Sequence, residues 1–107
     1  MNTEIKWIHL EVSERISNYV NKKLPRLDFA KDLIVDFLLN LTREKSLYKI
    51  EATINFRWGT STHVGVEGFD LYKGIDELFD KIEAKIEKEK SKVQTHRKKE
   101  PAREEEA

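Results

Sequence analysis

Four lysines in the C-terminal half of the chain are spaced so that they share one side of a helix. They follow steps of four, three and four residues and are Lys81, Lys85, Lys88 and Lys92, called the lysine row below. At about 100° per residue the four fall within about 60° of one another. Like charges at these spacings repel and weaken an isolated helix. A polyanion, most simply a phosphate backbone, would relieve that repulsion.

A second basic cluster strengthens this interpretation. Arg15, Lys22 and Arg26 lie beside the apolar stripe of an earlier predicted helix, with Lys23 nearer to that stripe. If the two helices lie side by side, we expect their basic flanks to join into one polyanion-binding surface. The alternative is that the lysine row is only the solvated face of an amphipathic helix, which is a common arrangement.

Residues that could support catalysis or metal binding are sparse. Asp76, Asp80 and Glu83 share a helix face, as paired acids of a hydrolase would, but nothing nearby suggests a pocket, so we expect a solvated flank. The three histidines lie on different predicted elements, and cysteine is absent. We therefore expect no metal, no cofactor and no enzymatic activity. Trp58 at a turn could stack on a base, but the pattern favours its folding back onto the sheet edge.

Length and composition indicate one highly charged domain. The chain has 107 residues, of which 38% are hydrophobic and 37% charged. The net charge of zero conceals an asymmetry, because residues 1–99 carry +3 and residues 100–107 carry −3. No apolar run approaches the roughly 20 residues that span a bilayer, and we expect a cytoplasmic protein. We place the domain at residues 1–95 and a charged, disordered tail at residues 96–107.

Hydrophobic periodicity predicts the elements that carry these residues. A strand is predicted over residues 3–10, followed by a helix that Ser13 caps and that weakens at Pro25. Apolar and alternating segments predict three further strands, over residues 33–42, 47–57 and 61–67. Gly68 and Asp70 then precede a long helix, whose apolar stripe contains Leu71, Ile75, Leu78, Ile82, Ile86 and Val93.

The predicted order β-α-β-β-β-α defines an α+β fold of two layers. The three consecutive strands form an antiparallel meander, and the first strand joins the same sheet in parallel through a right-handed crossover. Both helices then cover one face of a four-stranded sheet.

The long helix resembles the signature helix of the ribosome hibernation factors, which include hibernation promoting factor and the ribosome-associated inhibitor A. The shared residues are Asp70, Tyr72, Ile75, Asp76, Leu78, Asp80, Lys81 and Ile82, with lysines at positions 88, 90 and 92. The N-terminal half also resembles the family at Met1-Asn2, at residues 9–13 and at Tyr19-Val20. The resemblance covers about residues 1–93.

The resemblance implies a fold similar to double-stranded-RNA-binding domains and a protein that silences translation in stress and stationary phase. Family members occupy the mRNA and tRNA channel of the small (30S) ribosomal subunit, so the implied partner is chiefly 16S rRNA. The basic positions that it implies for RNA binding are Lys23, Arg26, Lys81, Lys88, Lys90 and Lys92. Helix geometry adds Lys22 and Lys85 to this predicted site.

Some residues depart from the family pattern. Trp7 stands where the family often has glycine, Ala84 where a basic residue is usual, and Glu87 and Glu89 where basic or neutral residues are usual. Two other functions stay open at this point. One is a protein-interaction module that uses the long charged helix, and the other is a free-standing binder of double-stranded RNA.

Overall fold

The computed structural model describes the backbone of residues 1–106 and the side chains of residues 1–92. The elements follow one another as β1 (Asn2–Ile8), α1 (Glu14–Lys23), a 3-10 helix (Leu24–Leu33), β2 (Ile34–Glu44), β3 (Leu47–Phe56), β4 (Ser61–Gly68) and α2 (Leu71–Glu106). This order confirms the predicted α+β fold. The predicted tail over residues 96–107 lies outside the part whose side chains are described, and its disorder stays a prediction.

The four strands form one sheet in the order β1-β2-β3-β4. β1 pairs in parallel with β2, whereas the other two pairs are antiparallel. Alternation places Phe37, Leu39 and Leu41 of β2 in the core, while their neighbours in sequence face the open side. The β2–β3 hairpin turns through Lys45, whose φ of 59° is the left-handed conformation that tight hairpins use.

α1 begins and ends where its sequence predicts. The Ser13 hydroxyl accepts a hydrogen bond from the Ile16 backbone N–H at 3.3 Å, which caps the first turn. Pro25 cannot donate a backbone hydrogen bond, and from Leu24 the chain continues as a 3-10 helix. That helix buries Leu27 and packs against β2.

α2 is held on the sheet by the predicted apolar stripe. Asp70 accepts a hydrogen bond from the Lys73 backbone N–H at 3.2 Å and so caps the helix. The stripe residues from Leu71 to Ile86 are buried, whereas Val93 lies outside the described side chains. Phe79 adds to the stripe and packs beside Phe37, with ring centroids 5.9 Å apart.

The helices lie side by side on one face of the sheet. α2 covers β3 and β4, and it also contacts α1 and the 3-10 helix. One flank of α2 therefore faces α1, and the other flank overhangs β4, which is an edge strand. This arrangement decides which charges of α2 remain available to a partner.

Candidate nucleic-acid interface

The acidic flank of α2 faces α1 and binds its basic side chains. The Lys23 ammonium lies 2.8 Å from the Asp76 carboxylate. The Arg26 guanidinium spans two acids, at 2.5 Å from Asp80 Oδ1 and 2.5 Å from Glu83 Oε2. We call these five residues the interhelical ion-pair cluster. It joins α1 and the start of the 3-10 helix to the middle of α2.

Tyr19 extends the interhelical ion-pair cluster towards the start of α2. Its hydroxyl donates to Asp76 Oδ1 at 2.7 Å, and this hydrogen bond raises the pKa of Tyr19 above its ordinary value. The hydrogen bond with Lys23 is the main cause that lowers the pKa of Asp76, and the same contact raises the pKa of Lys23. The Tyr19 ring meets the Tyr72 ring edge to face, with centroids 4.9 Å apart.

These contacts correct two of the expectations from the sequence. The basic flanks of the two helices do not join, because α2 turns its acidic flank towards α1. Asp76, Asp80 and Glu83 are not merely a solvated flank, since they neutralise Lys23 and Arg26. The physical reason is that opposite charges across a helix contact attract, whereas two basic flanks in the same position would repel.

The lysine row lies on the opposite flank, at the β4 edge. Its four side chains are exposed. Lys81 borders an open depression around Gly65, together with Lys49, Glu51 and Glu67 of the neighbouring strands. Among residues 1–92, the only carboxylate within 4.0 Å of the row is Glu89, at 3.7 Å from Lys92. The row therefore presents at least three ammonium groups that form no ion pair with a described acid.

The remaining predicted site residues lie elsewhere. Lys90 is on the side of α2 that faces the 3-10 helix, where its ammonium lies 5.7 Å from the Phe29 ring centroid. Lys22 is exposed on α1 and lines a groove beside Tyr72. The eight predicted residues thus form three groups: the row at the β4 edge, Lys22 on α1, and Lys23, Arg26 and Lys90 between the helices.

The family departures have structural consequences of different sizes. Glu89 is half-buried and partly offsets the charge of Lys92. Trp7 packs against the edge of the core, while Ala84 and Glu87 are exposed and leave the row unchanged.

Trp58 stacks on Phe56 with a centroid distance of 4.9 Å and nearly parallel rings, which confirms that it folds back onto the sheet. His63 faces the open side of the sheet, with Nδ1 at 3.0 Å from the Thr53 hydroxyl. Within the described side chains, no group of three or more metal-binding residues lies together. No helix is long and apolar enough to cross a membrane, as far as the described residues extend.

Sequence reasoning missed the pairing between the helices, although a signal for it exists. Tyr19, Lys23 and Arg26 follow steps of four and three, and Asp76, Asp80 and Glu83 follow the same steps. Two helical stripes of opposite charge and equal spacing are complementary. It also missed the groove that Lys22 lines, to which Arg15, Asn18 and Tyr72 contribute.

The fold is that of a small α+β domain with an exposed lysine row, and comparison with known proteins gives its family. Residues 3–94 match the family described as "Sigma 54 modulation protein / S30EA ribosomal protein". The chain belongs to this family, that of the ribosome hibernation factors, which is not a family of enzymes. The resemblance found in the sequence is thereby confirmed.

Individual relatives agree with this assignment. The chain is 33% identical over 95 residues to the ribosome hibernation promoting factor of Pseudomonas putida, covering 89% of this chain and 92% of that protein. It is 30% identical over 96 residues to the factor of Escherichia coli K12, covering 90% of this chain and 100% of that protein.

Two solved structures are also similar to this chain. The N-terminal domain of Thermus thermophilus Protein Y has a TM-score of 0.72 at 29% identity, over 82% of this chain and 98% of that one. A ribosomal subunit interface protein from Coxiella burnetii has a TM-score of 0.78 over 85% of this chain and 99% of that one. At 23% identity, the second likeness concerns the fold.

Proposed function

We propose that this protein binds the small ribosomal subunit in the mRNA and tRNA channel and keeps idle ribosomes from translating. Its contacts are to phosphates of 16S rRNA, and it acts by occupancy, in the cytoplasm, without catalysing a reaction. Relatives named as ribosome hibernation promoting factors support this proposal. The single observation that carries it is the exposed lysine row, which forms no ion pair with a described acid apart from Glu89.

The interhelical ion-pair cluster explains how the row stays available. The row shares its helix with Asp76, Asp80 and Glu83. Their negative charge could neutralise a nearby lysine of the row or repel a phosphate. Their pairing with Lys23 and Arg26 turns them towards α1. An approaching phosphate backbone therefore meets the ammonium groups at the β4 edge while the acids are already compensated.

This geometry assigns different roles to the predicted RNA-binding residues. The lysine row supplies the main electrostatic attraction, and Lys22 adds a separate contact on α1. Lys23 and Arg26 contribute chiefly by holding the helices together, because each already has a carboxylate partner. Lys90 contacts phosphate only if it leaves the Phe29 ring.

The test is co-sedimentation with small subunits over a series of salt concentrations. A variant in which all four lysines of the row are replaced by glutamine keeps the apolar stripe and should fold normally. Each phosphate contact contributes about 0.7 to 0.9 to the slope of log K against log salt. Loss of the row should therefore lower affinity sharply and make the slope shallower by about three.

A matched control removes the same charge elsewhere. Four exposed basic residues away from the row are replaced by glutamine, and they are Lys6, Lys31, Arg43 and Lys45. This control should bind almost as well as the wild type. Equal binding by the row variant and the wild type would refute the proposed role of the row. Binding that withstands high salt would favour a protein-interaction module. A preference for naked RNA duplexes over small subunits would favour a free-standing binder of double-stranded RNA.

A further inference from the structure

A groove lies between α1 and the N-terminal end of α2, on the side of α2 away from the lysine row. It is an open surface groove with a volume of about 540 Å³, so it would contact one side of a ligand rather than enclose it. We call it the α1–α2 groove, and the side chains that line it are Glu14, Arg15, Asn18, Tyr19, Lys22 and Tyr72.

The lining combines the groups that a nucleotide requires. Arg15 and Lys22 are exposed cations, and no carboxylate within residues 1–92 lies within ion-pairing distance of either. Tyr72 is half-buried against the core and lines the groove with its remaining surface. The Asn18 amide carries both donors and an acceptor, so it can pair with the edge of a base. Arg15, Asn18 and Lys22 follow steps of three and four and share one side of α1.

The aromatic part of the groove is fixed in place before any ligand arrives. The Tyr19 hydroxyl is held by Asp76 at 2.7 Å, and the Tyr19 ring meets Tyr72 edge to face at 4.9 Å. Tyr72 is thereby oriented by the interhelical ion-pair cluster. An aromatic ring that is already ordered loses little entropy when a base stacks on it.

We propose that the α1–α2 groove binds one unpaired ribonucleotide, with its base against Tyr72 and its phosphate between Arg15 and Lys22. This inference rests on the proposed function, since the nucleotide would belong to ribosomal RNA. The ligand is unpaired because bases inside an A-form duplex are stacked and cannot reach a side-chain ring. Glu14 also lines the groove. Its carboxylate repels a ligand that is only anionic, and the same carboxylate can accept a hydrogen bond from the amino group of a base.

The test is an NMR titration of the intact protein with adenosine 5′-monophosphate and, separately, with ribose 5-phosphate. The first ligand should shift the backbone amide signals of Arg15, Asn18, Lys22 and Tyr72 in a saturable way. The second lacks a base and should bind about fivefold more weakly or worse, since stacking on an aromatic ring contributes about 1–3 kcal/mol per base.

Variants separate the two parts of the groove. Tyr72→Leu should reduce the affinity for adenosine 5′-monophosphate to that for ribose 5-phosphate, whereas Tyr72→Phe should leave it nearly unchanged and controls for packing. Lys22→Gln should weaken both ligands. Lys6→Gln is the matched control, because Lys6 is exposed on the open face of the sheet, and it should weaken neither.

Equal affinity for the two ligands, or an unchanged affinity in both Tyr72→Leu and Lys22→Gln, overturns the inference. Absence of a saturable shift at the groove overturns it too. These outcomes differ from a failure of the proposed function, which is read from co-sedimentation of the row variant with small subunits. Binding of adenosine 5′-monophosphate should be unaffected when the lysine row is replaced by glutamine.

Discussion

Arg26→Gln should destabilise the fold through the loss of one side chain that bridges two acids. The guanidinium contacts Asp80 and Glu83 at 2.5 Å each. Removing it leaves both carboxylates without a described ion-pair partner, on the same helix flank as Asp76, which Lys23 still neutralises. The perturbation therefore removes two attractions and exposes a like-charge repulsion.

The size of the effect follows from the exposure of each partner. The Asp80 side chain is 70% exposed, so its pairing with Arg26 contributes about 0.3 kcal/mol, near the low end for surface pairs. Glu83 and Arg26 are 35% and 30% exposed, and that pair contributes about 1 kcal/mol. With a few tenths for repulsion among the acids, the total loss is about 1.5 kcal/mol. For a domain of this size, Tm should fall by about 6–12 °C.

The assay is thermal unfolding by circular dichroism, combined with double-mutant cycles. The cycle of Arg26→Gln with Glu83→Gln should give a coupling of about 1 kcal/mol, and the cycle with Asp80→Asn should give less. About 1 M NaCl shortens the Debye length to about 3 Å and should reduce both couplings. A Tm within about 1 °C of wild type, with no coupling to Glu83, would refute the reasoning. Arg26 would then be available for RNA in the free protein.

Three further predictions test other parts of the structure. Because Lys23 lowers the pKa of Asp76, this pairing stabilises the fold above the ordinary aspartate pKa of about 3.9 and is lost as pH falls through the lower folded pKa. Asp76→Asn should thus flatten the loss of stability below about pH 4, measured by unfolding over a pH series. Phe79→Ala should cost about 3–5 kcal/mol in denaturant unfolding, since Phe79 is fully buried; a cost below about 1 kcal/mol would contradict its place in the core. Truncation after His96 should leave Tm within a few degrees, because the described core ends at Ile86; loss of cooperative unfolding would place part of the fold in the tail.

The fold was predictable because each element carries its own local signal. Ser13 and Asp70 mark helix starts, Pro25 marks a helix end, and alternation from Ile50 to Phe56 marks a half-buried strand. The chain order then leaves few arrangements of the sheet. The grouping of the four lysines on one side of α2 was also predictable, because it depends only on the geometry of a single helix.

The pairing of the helices was not predicted, because it depends on how two elements rotate relative to each other. A helical wheel places Asp76 and Lys81 on opposite flanks but does not say which flank turns towards α1. Packing of Gly74 against the sheet, where a side chain would collide with Ile50, sets that rotation together with the ion pairs between the helices. Lys23 resembles a free cation when α1 is considered alone. Its ion pair with Asp76 on α2 makes it less available to bind RNA.

The location of the lysine row beside β4 has a consequence for how copies of this protein behave in a crowded solution. An edge strand presents unpaired backbone groups that can recruit the edge of another molecule, and nearby charge opposes such growth. Glu67 is the one acidic or basic residue of β4 apart from His63, and Gly65 lies between these two on the open face, so the strand itself carries little charge that would oppose such pairing. Lysines overhanging this edge would repel the same lysines of a second copy. Binding to RNA and resistance to aggregation then depend on the same four charges. A variant in which the lysine row is replaced by glutamine should aggregate sooner and also bind RNA more weakly.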